Sequence, residues 1–197
     1  MTDAAATPGI TGFEAFAGLA HARRSNLRID LDRPVDPELV DRLLGLAATA
    51  PNHRRTHPWR FAVVTGTGRA ALGEALAADL TAWGDPEAKI AKARTKYLRA
   101  PVMVVVASRP GTGDTMTKEN RDATSAAIQT VLLGATALGL ASLWSTGPAA
   151  ISGRVKALCG FDEDDDTVGL VYLGWPLEAA EPIDRPDPEI LRISDER

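Results

Sequence analysis

The spacing of apolar and polar residues divides the chain into interleaved helices and strands. Six helical segments are predicted, from apolar residues at helical spacing or from short charged stretches: residues 13–24, 34–48, 69–80, 86–98, 118–138 and 151–158. Short apolar runs predict four strands, at residues 59–65, 101–107, 141–145 and 168–174, and the run at 101–107 is rich in valine. We therefore expect one mixed domain over residues 13–197, with a C-terminal tail at 177–197.

Two segments of the pattern point to a partner for the folded chain. The helix at 118–138 carries apolar residues around nearly its whole circumference, which is typical of a helix buried in a core or against another subunit. The tail at 177–197 is rich in proline and acid, so it either wraps around a neighbour or is mobile. The small, polar residues 1–12 predict a flexible N-terminus with neither a leader nor a membrane span.

Charge is distributed unevenly along the chain. The formal net charge of −4 gives no reason to expect nucleic acid or an anionic membrane as a partner. Residues 161–197 hold 12 acidic and 3 basic side chains, whereas the preceding 160 hold 14 and 19. An anionic ligand is therefore expected in the earlier part. The acidic run at 162–166 is interpreted as a solvated loop, because it lacks histidine and the spacing of a calcium loop.

The chain contains a single cysteine, Cys159. It excludes a disulfide within the chain and fits a reducing, cytoplasmic location. Cys159 ends a predicted short helix, where a small buried hydrophobe is a better interpretation than a nucleophile.

Three polar segments are candidates for ligand binding. The first, at residues 23–28, contains Arg23, Arg24, Ser25 and Arg28. Paired arginines can hold a phosphate by charge-assisted hydrogen bonds. The same basic residues also suit a helix C-terminus, so the pattern alone does not separate the two explanations.

The second and third polar segments each lie beside a predicted strand. The second, residues 50–59, is framed by prolines and holds His53 and His57. It has too few ligands for zinc, so each histidine is expected to contact a ligand or to make a structural hydrogen bond. The third, residues 139–147, includes Trp144, Ser145 and Thr146, whose backbone N–H groups could face a planar ring. The Trp144 side chain alone is also explained as core.

Together these segments resemble the nitroreductase family, and more closely its small, minimal branch. The resemblance rests on four ordered motifs between about residues 13 and 188. They are Arg23-Arg24-Ser25, Ala50-Pro51-Asn52-His53 leading to Pro58-Trp59-Arg60-Phe61, Gly139-Leu140 leading to Trp144-Ser145-Thr146-Gly147, and the ending Leu170-Val171-Tyr172-Leu173-Gly174-Trp175-Pro176.

The resemblance implies an α+β fold with a central, mostly antiparallel sheet flanked by helices, in an intertwined homodimer that holds FMN at its interface. Arg23, Arg24 and Ser25 would hold the FMN phosphate, ribityl chain and ring edge. His53 and His57 would touch the flavin, across the interface, and Trp144, Ser145 and Thr146 would lie against the ring. Relatives often carry Arg where this chain has Leu27 and Ser145, and Arg28 could compensate.

The implied function is electron transfer from NADH or NADPH, through flavin N5, to a small organic acceptor such as a nitroaromatic or a quinone, in a ping-pong cycle. The flavin carries the chemistry, so no catalytic side chain and no metal is expected. One alternative is a flavin carrier or redox sensor with little turnover. Others are a different reaction on the same scaffold, such as reductive removal of a halogen or fragmentation of the flavin, and a dimeric interaction protein without cofactor.

Overall fold

The computed structural model of the chain describes residues 10–181 and 183–193. Six α-helices are present: α1 Ile10–Ala22, α2 Pro37–Ala47, α3 Gly68–Ala82, α4 Glu87–Lys96, α5 Asp114–Ala137 and α6 Gly153–Leu158. Five strands accompany them: β1 Ile29–Asp30, β2 Trp59–Val64, β3 Val102–Ser108, β4 Ala141–Ser145 and β5 Asp166–Pro176. Short 3-10 turns occupy His53–Arg55, Tyr97–Arg99 and Pro148–Ile151.

The strands form one sheet centred on β5. The order is β1-β5-β3-β2, with β4 also paired to β5, and every one of these strand pairs is antiparallel. A single isolated bridge, between Ser25 and Ser142, is parallel. The predicted α+β fold with a mostly antiparallel sheet is therefore confirmed.

Successive side chains along a strand point to opposite faces of the sheet, and both faces are buried. On one face, Val104 and Val106 of β3 join a core built with α2 and α5. On the other, Met103 and Val105 join a core built with α3, α4 and α6. The continuous valine run of β3 thus serves two cores at once, as expected for a strand covered on both sides.

Several boundaries differ from the predicted elements. Strand β1 was not predicted, because two residues are too few to show a period and their pairing partner lies at the other end of the chain. Helix α5 begins at Asp114, four residues earlier than predicted, because its first turn is polar. The predicted helix at 151–158 is divided at Ser152, whose hydroxyl accepts the Val155 N–H and begins α6.

The N-terminus and the acidic run also need correction. Residues 10–12, expected to be loose, begin α1, while residues 1–9 lie outside the described part. The acidic run is not wholly solvated: Asp165 is only 2% exposed. Arg60 pairs with both Asp162 and Asp165, and Lys156 donates to the Asp165 carbonyl. The ion pairs with Arg60 tie the acidic run to β2, next to the start of β5.

One side of the molecule leaves apolar groups uncovered. Phe13 and Phe16 of α1 are 65% and 56% exposed. On α5, Leu133 is half-buried and Ala137 is exposed, so a single chain does not bury the whole helix, and burial of the remainder against another subunit stays a prediction. No helix in the described ranges is long and apolar enough to cross a membrane.

Candidate functional site

The fold brings the first and third polar segments together. After α1, the chain runs beside β4, where Ser25 bridges Ser142 and the Asn26 N–H donates to the Ser142 carbonyl at 2.9 Å. Because β4 leads directly to Trp144, Ser145 and Thr146, the arginines that follow α1 and the end of β4 belong to one region.

Three arginines gather at the start of this region. The Nη2 of Arg185, from the C-terminal tail, donates to the Arg23 carbonyl at 3.1 Å. Burial, and then the positive charges of Arg185 and Arg24, lower the pKa of Arg23. Among the described residues, Arg23, Arg24 and Arg185 have no carboxylate partner. We call these three residues the arginine cluster.

The arginine cluster has an unused hydrogen-bond donor. The Nε–H of Arg24 is buried and finds no partner within the described ranges. Arg24 lines a cleft of about 290 Å³ together with Asn26, Gly139 and Glu178. Crowded cations with a buried, unsatisfied donor are costly in isolation, so an anionic group such as a phosphate would stabilise the arginine cluster.

Arg185, rather than Arg28, lies beside Arg23. Arg28 forms an ion pair with Glu178 at the rim of the cleft, and its side chain is 70% exposed. Arg185, by contrast, joins Arg23, although nothing in the sequence pattern singled it out. The one available signal was its basic charge within an otherwise acidic tail.

The third polar segment presents backbone groups rather than its largest side chain. The Trp144 indole packs into the core on the α5 side of the sheet, where Gly169 leaves room for it. Thr146 is exposed, and Gly147 turns the chain with a φ of 108°. A planar ligand would therefore meet the backbone at Ser145 and Thr146.

The second polar segment is a strained, tightly held loop. Arg54, Arg55 and His57 adopt left-handed φ angles of 57°, 54° and 45°. Such angles are unfavourable for residues other than glycine, so neighbouring groups must fix them. Asn52 accepts the His57 N–H at 3.0 Å, and Thr56 donates to the buried Asn120 of α5 at 2.8 Å.

The two histidines of this loop have different contacts. The His53 Nδ1 lies 2.8 Å from the Glu119 Oε2, and the two side chains are 57% and 39% exposed. His57 packs edge-on against Trp59, with ring centroids 5.7 Å apart.

Within one chain, the two histidines lie far from the arginine cluster. Thr136, near the end of α5, lines the same cleft as Arg24. Glu119, which contacts His53, lies in the second turn of the same helix. At about 1.5 Å per residue, the two positions are roughly 25 Å apart along the helix.

Cys159 does not contribute a nucleophile to either half of the site. Burial raises the pKa of its thiol to about 11, so the unreactive, protonated form is retained at neutral pH. This supports its interpretation as a small hydrophobe.

Comparisons with known proteins agree with this geometry. A model of the nitroreductase family matches residues 20–175. The Escherichia coli K12 protein named "Putative NAD(P)H nitroreductase YdjA" is 31% identical over 168 residues, covering 84% of this chain and 91% of the relative. A nitroreductase-like family protein from Bacillus cereus superposes with a TM-score of 0.78 at 26% identity, covering 95% and 99% of the two chains. A nitroreductase with bound FMN from Bacteroides fragilis gives 0.72 at 21% identity, covering 91% and 98%.

Proposed function

The chain belongs to the nitroreductase family, an oxidoreductase family, and on that premise we propose that it is an FMN-dependent enzyme that passes electrons from NADH or NADPH to a small organic acceptor. Nitroaromatics and quinones are the proposed acceptor classes. Donor and acceptor use the same face of the cofactor in turn, in a ping-pong cycle.

The observation that carries this proposal is the arginine cluster. FMN has a phosphate, and Arg23, Arg24 and Arg185 offer charge without a carboxylate partner in the described part of the chain. The buried Nε–H of Arg24 supplies a donor that such an anion would satisfy. The residues present therefore fit the cofactor.

Each further candidate has a proposed role around the cofactor. Ser25 faces the ribityl chain and ring edge, and Arg28, held by Glu178, stays at the rim of the cleft. The backbone groups of Trp144, Ser145 and Thr146 lie against the ring system. Bound FMN supplies a two-electron carrier, and the N–H groups and arginine charge favour its reduced, anionic form.

The site is proposed to be completed by a second copy of the chain. His53 and His57 lie about 25 Å along α5 from the arginine cluster, which is too far for both to touch one cofactor in one chain. In a homodimer, each copy would give its arginine cluster to one site and its histidines to the other. The uncovered Phe13, Phe16 and Ala137 support burial against that second copy.

A visible absorption spectrum of the purified protein tests the proposal first. We expect a flavin band that bleaches when NADH or NADPH is added without oxygen and returns when a quinone is added. A flavin band that either nicotinamide bleaches only over hours indicates the carrier or sensor instead. A colourless protein that takes up no added FMN contradicts the proposal.

A further inference from the structure

His53 and Glu119 form the common wall of two clefts beside the second polar segment. One cleft is also lined by Arg54 and by the chain around Asp114, the other by Pro51 and Asp122. The imidazole is more than half exposed, so it is open to solvent and to a small molecule in either cleft.

The surroundings of His53 fix which ring nitrogen carries a proton. Helix α5 presents Asp114, Glu119 and Asp122 toward the clefts, and the loop presents Arg54. Among the residues that the structure describes, only Glu119 is hydrogen-bonded to the imidazole, at Nδ1. A carboxylate accepts and cannot donate, so the Nδ1 atom bears the hydrogen of this contact and Nε2 is the nitrogen left for a ligand.

We infer that His53 donates a proton from Nε2 to the bound acceptor, with Glu119 as the positioning residue that holds the ring. The inference rests on the proposed function. Reduction of a quinone to a hydroquinone takes one hydride and one proton, and the proposed nicotinamide and flavin chemistry supplies only the hydride. In the remaining step, the Nε2–H bond of the imidazolium breaks and an O–H bond forms on the acceptor oxygen. Solvent then returns a proton to Nε2.

The rigidity of the loop supports this role. Asn52 accepts the His57 N–H and Asn120 accepts the Thr56 hydroxyl, so the loop that carries the imidazole is held in place at residues 56 and 57. A proton donor must lie within hydrogen-bond reach of its acceptor, and a fixed position increases the fraction of productive encounters.

Two acceptors separate proton delivery from electron supply. 1,4-Benzoquinone needs protons to become its hydroquinone, whereas ferricyanide takes one electron and no proton. With FMN saturating, we expect His53→Gln to slow the quinone step about 100-fold, within the range typical of general acids, and to slow the ferricyanide step far less. Glu119→Gln should slow the quinone step less. The control is His21→Gln, at an exposed histidine near the end of α1 that lines neither cleft, and it should match the parent protein.

Nitrogen-15 NMR of the imidazole gives a readout that does not depend on turnover. We expect the neutral form of His53, which remains after Nε2 has given up its proton, to carry its hydrogen at Nδ1. That preference should be lost in Glu119→Gln and kept in Asp122→Asn. Equal quinone rates in the parent, His53→Gln and Glu119→Gln proteins overturn the inference while leaving the proposed function intact. A protein that binds no FMN contradicts the proposed function and the proton step together, and the tautomer measurement then still tests the His53–Glu119 contact.

Discussion

At the scale of single residues, Arg185 joins the proposed site although almost nothing in the sequence pointed to it. It contacts the Arg23 carbonyl from 162 positions further along the chain. Charge-assisted hydrogen bonds contribute about 1.5–3 kcal/mol. We therefore expect Arg185→Gln to weaken FMN binding by about 10- to 100-fold, measured by fluorescence titration. Arg192→Gln, an exposed arginine of the same tail, is the control. Equal FMN affinity in both variants contradicts a phosphate contact for Arg185.

Gly169 matters because of the side chain it lacks. A Cβ at this position would overlap the Trp144 indole and the Ser145 carbonyl. Overpacking of this kind costs about 1–3 kcal/mol, so Gly169→Ala should lower the free energy of unfolding in urea by that amount. Gly45→Ala, in an open position on α2, should instead be neutral or slightly stabilising. A Gly169→Ala protein as stable as Gly45→Ala shows that the indole lies elsewhere.

Cys159 gives the protein a predictable alkaline sensitivity. Burial raises the pKa of the folded thiol to about 11, whereas an unfolded cysteine ionises near about 8.5. The protonated thiol therefore makes its full contribution to the free energy of unfolding below about pH 8.5, and this contribution is lost as the pH rises through about 11. Urea unfolding at pH 8 and pH 10 should show a smaller loss of stability in Cys159→Ser than in the parent. Identical losses would mean that the thiol is not buried.

At the scale of elements, the second polar segment stores backbone strain. Arg54 has a left-handed φ that costs a side-chain-bearing residue about 1–2 kcal/mol and glycine almost nothing. Both Arg54→Gly and Arg54→Ala remove the side chain, but only glycine relieves the backbone. We expect the glycine variant to be more stable than the alanine variant by about 1 kcal/mol in thermal or urea unfolding. The reverse order contradicts the left-handed conformation.

The elements also show where sequence reasoning succeeds and where it fails. Strand β3 and most of α5 were predictable, because burial selects long apolar runs with a clear period. Strand β1 was not, since only its pairing with β5 makes two residues a strand. Arg54 and His57 have left-handed φ angles that a sequence normally announces with glycine, so these angles could not be predicted. The surrounding hydrogen bonds impose them. The candidate binding residues were found through motif resemblance rather than through periodicity.

At the scale of the whole molecule, the proposed dimer makes each site depend on two chains. Arg23→Gln and His53→Gln should each weaken FMN binding when present in every subunit. When the two variants are co-expressed, a mixed dimer contains one site with both substitutions and one with neither. We expect about half of the sites in purified mixed dimers to bind FMN with parental affinity, as measured by cofactor titration. If no site in the mixed dimer binds FMN with parental affinity, a shared site is contradicted. That result would mean that Arg23 and His53 of the same chain surround one cofactor.

The position of β5 has a consequence for how the protein is made. This strand holds the sheet together through its pairs with β1, β3 and β4, yet it is the last strand along the chain. While the ribosome extends the chain, β2 and β3 can pair once α3 and α4 have been made, but β4 and β1 have no strand to join. The sheet can therefore close only after residues 166–176 have been synthesised, and until then the valines of β3 stay exposed to aggregation or to chaperones. A premature stop before β5 would leave all six of the described α-helices encoded but no sheet centre on which to pack them.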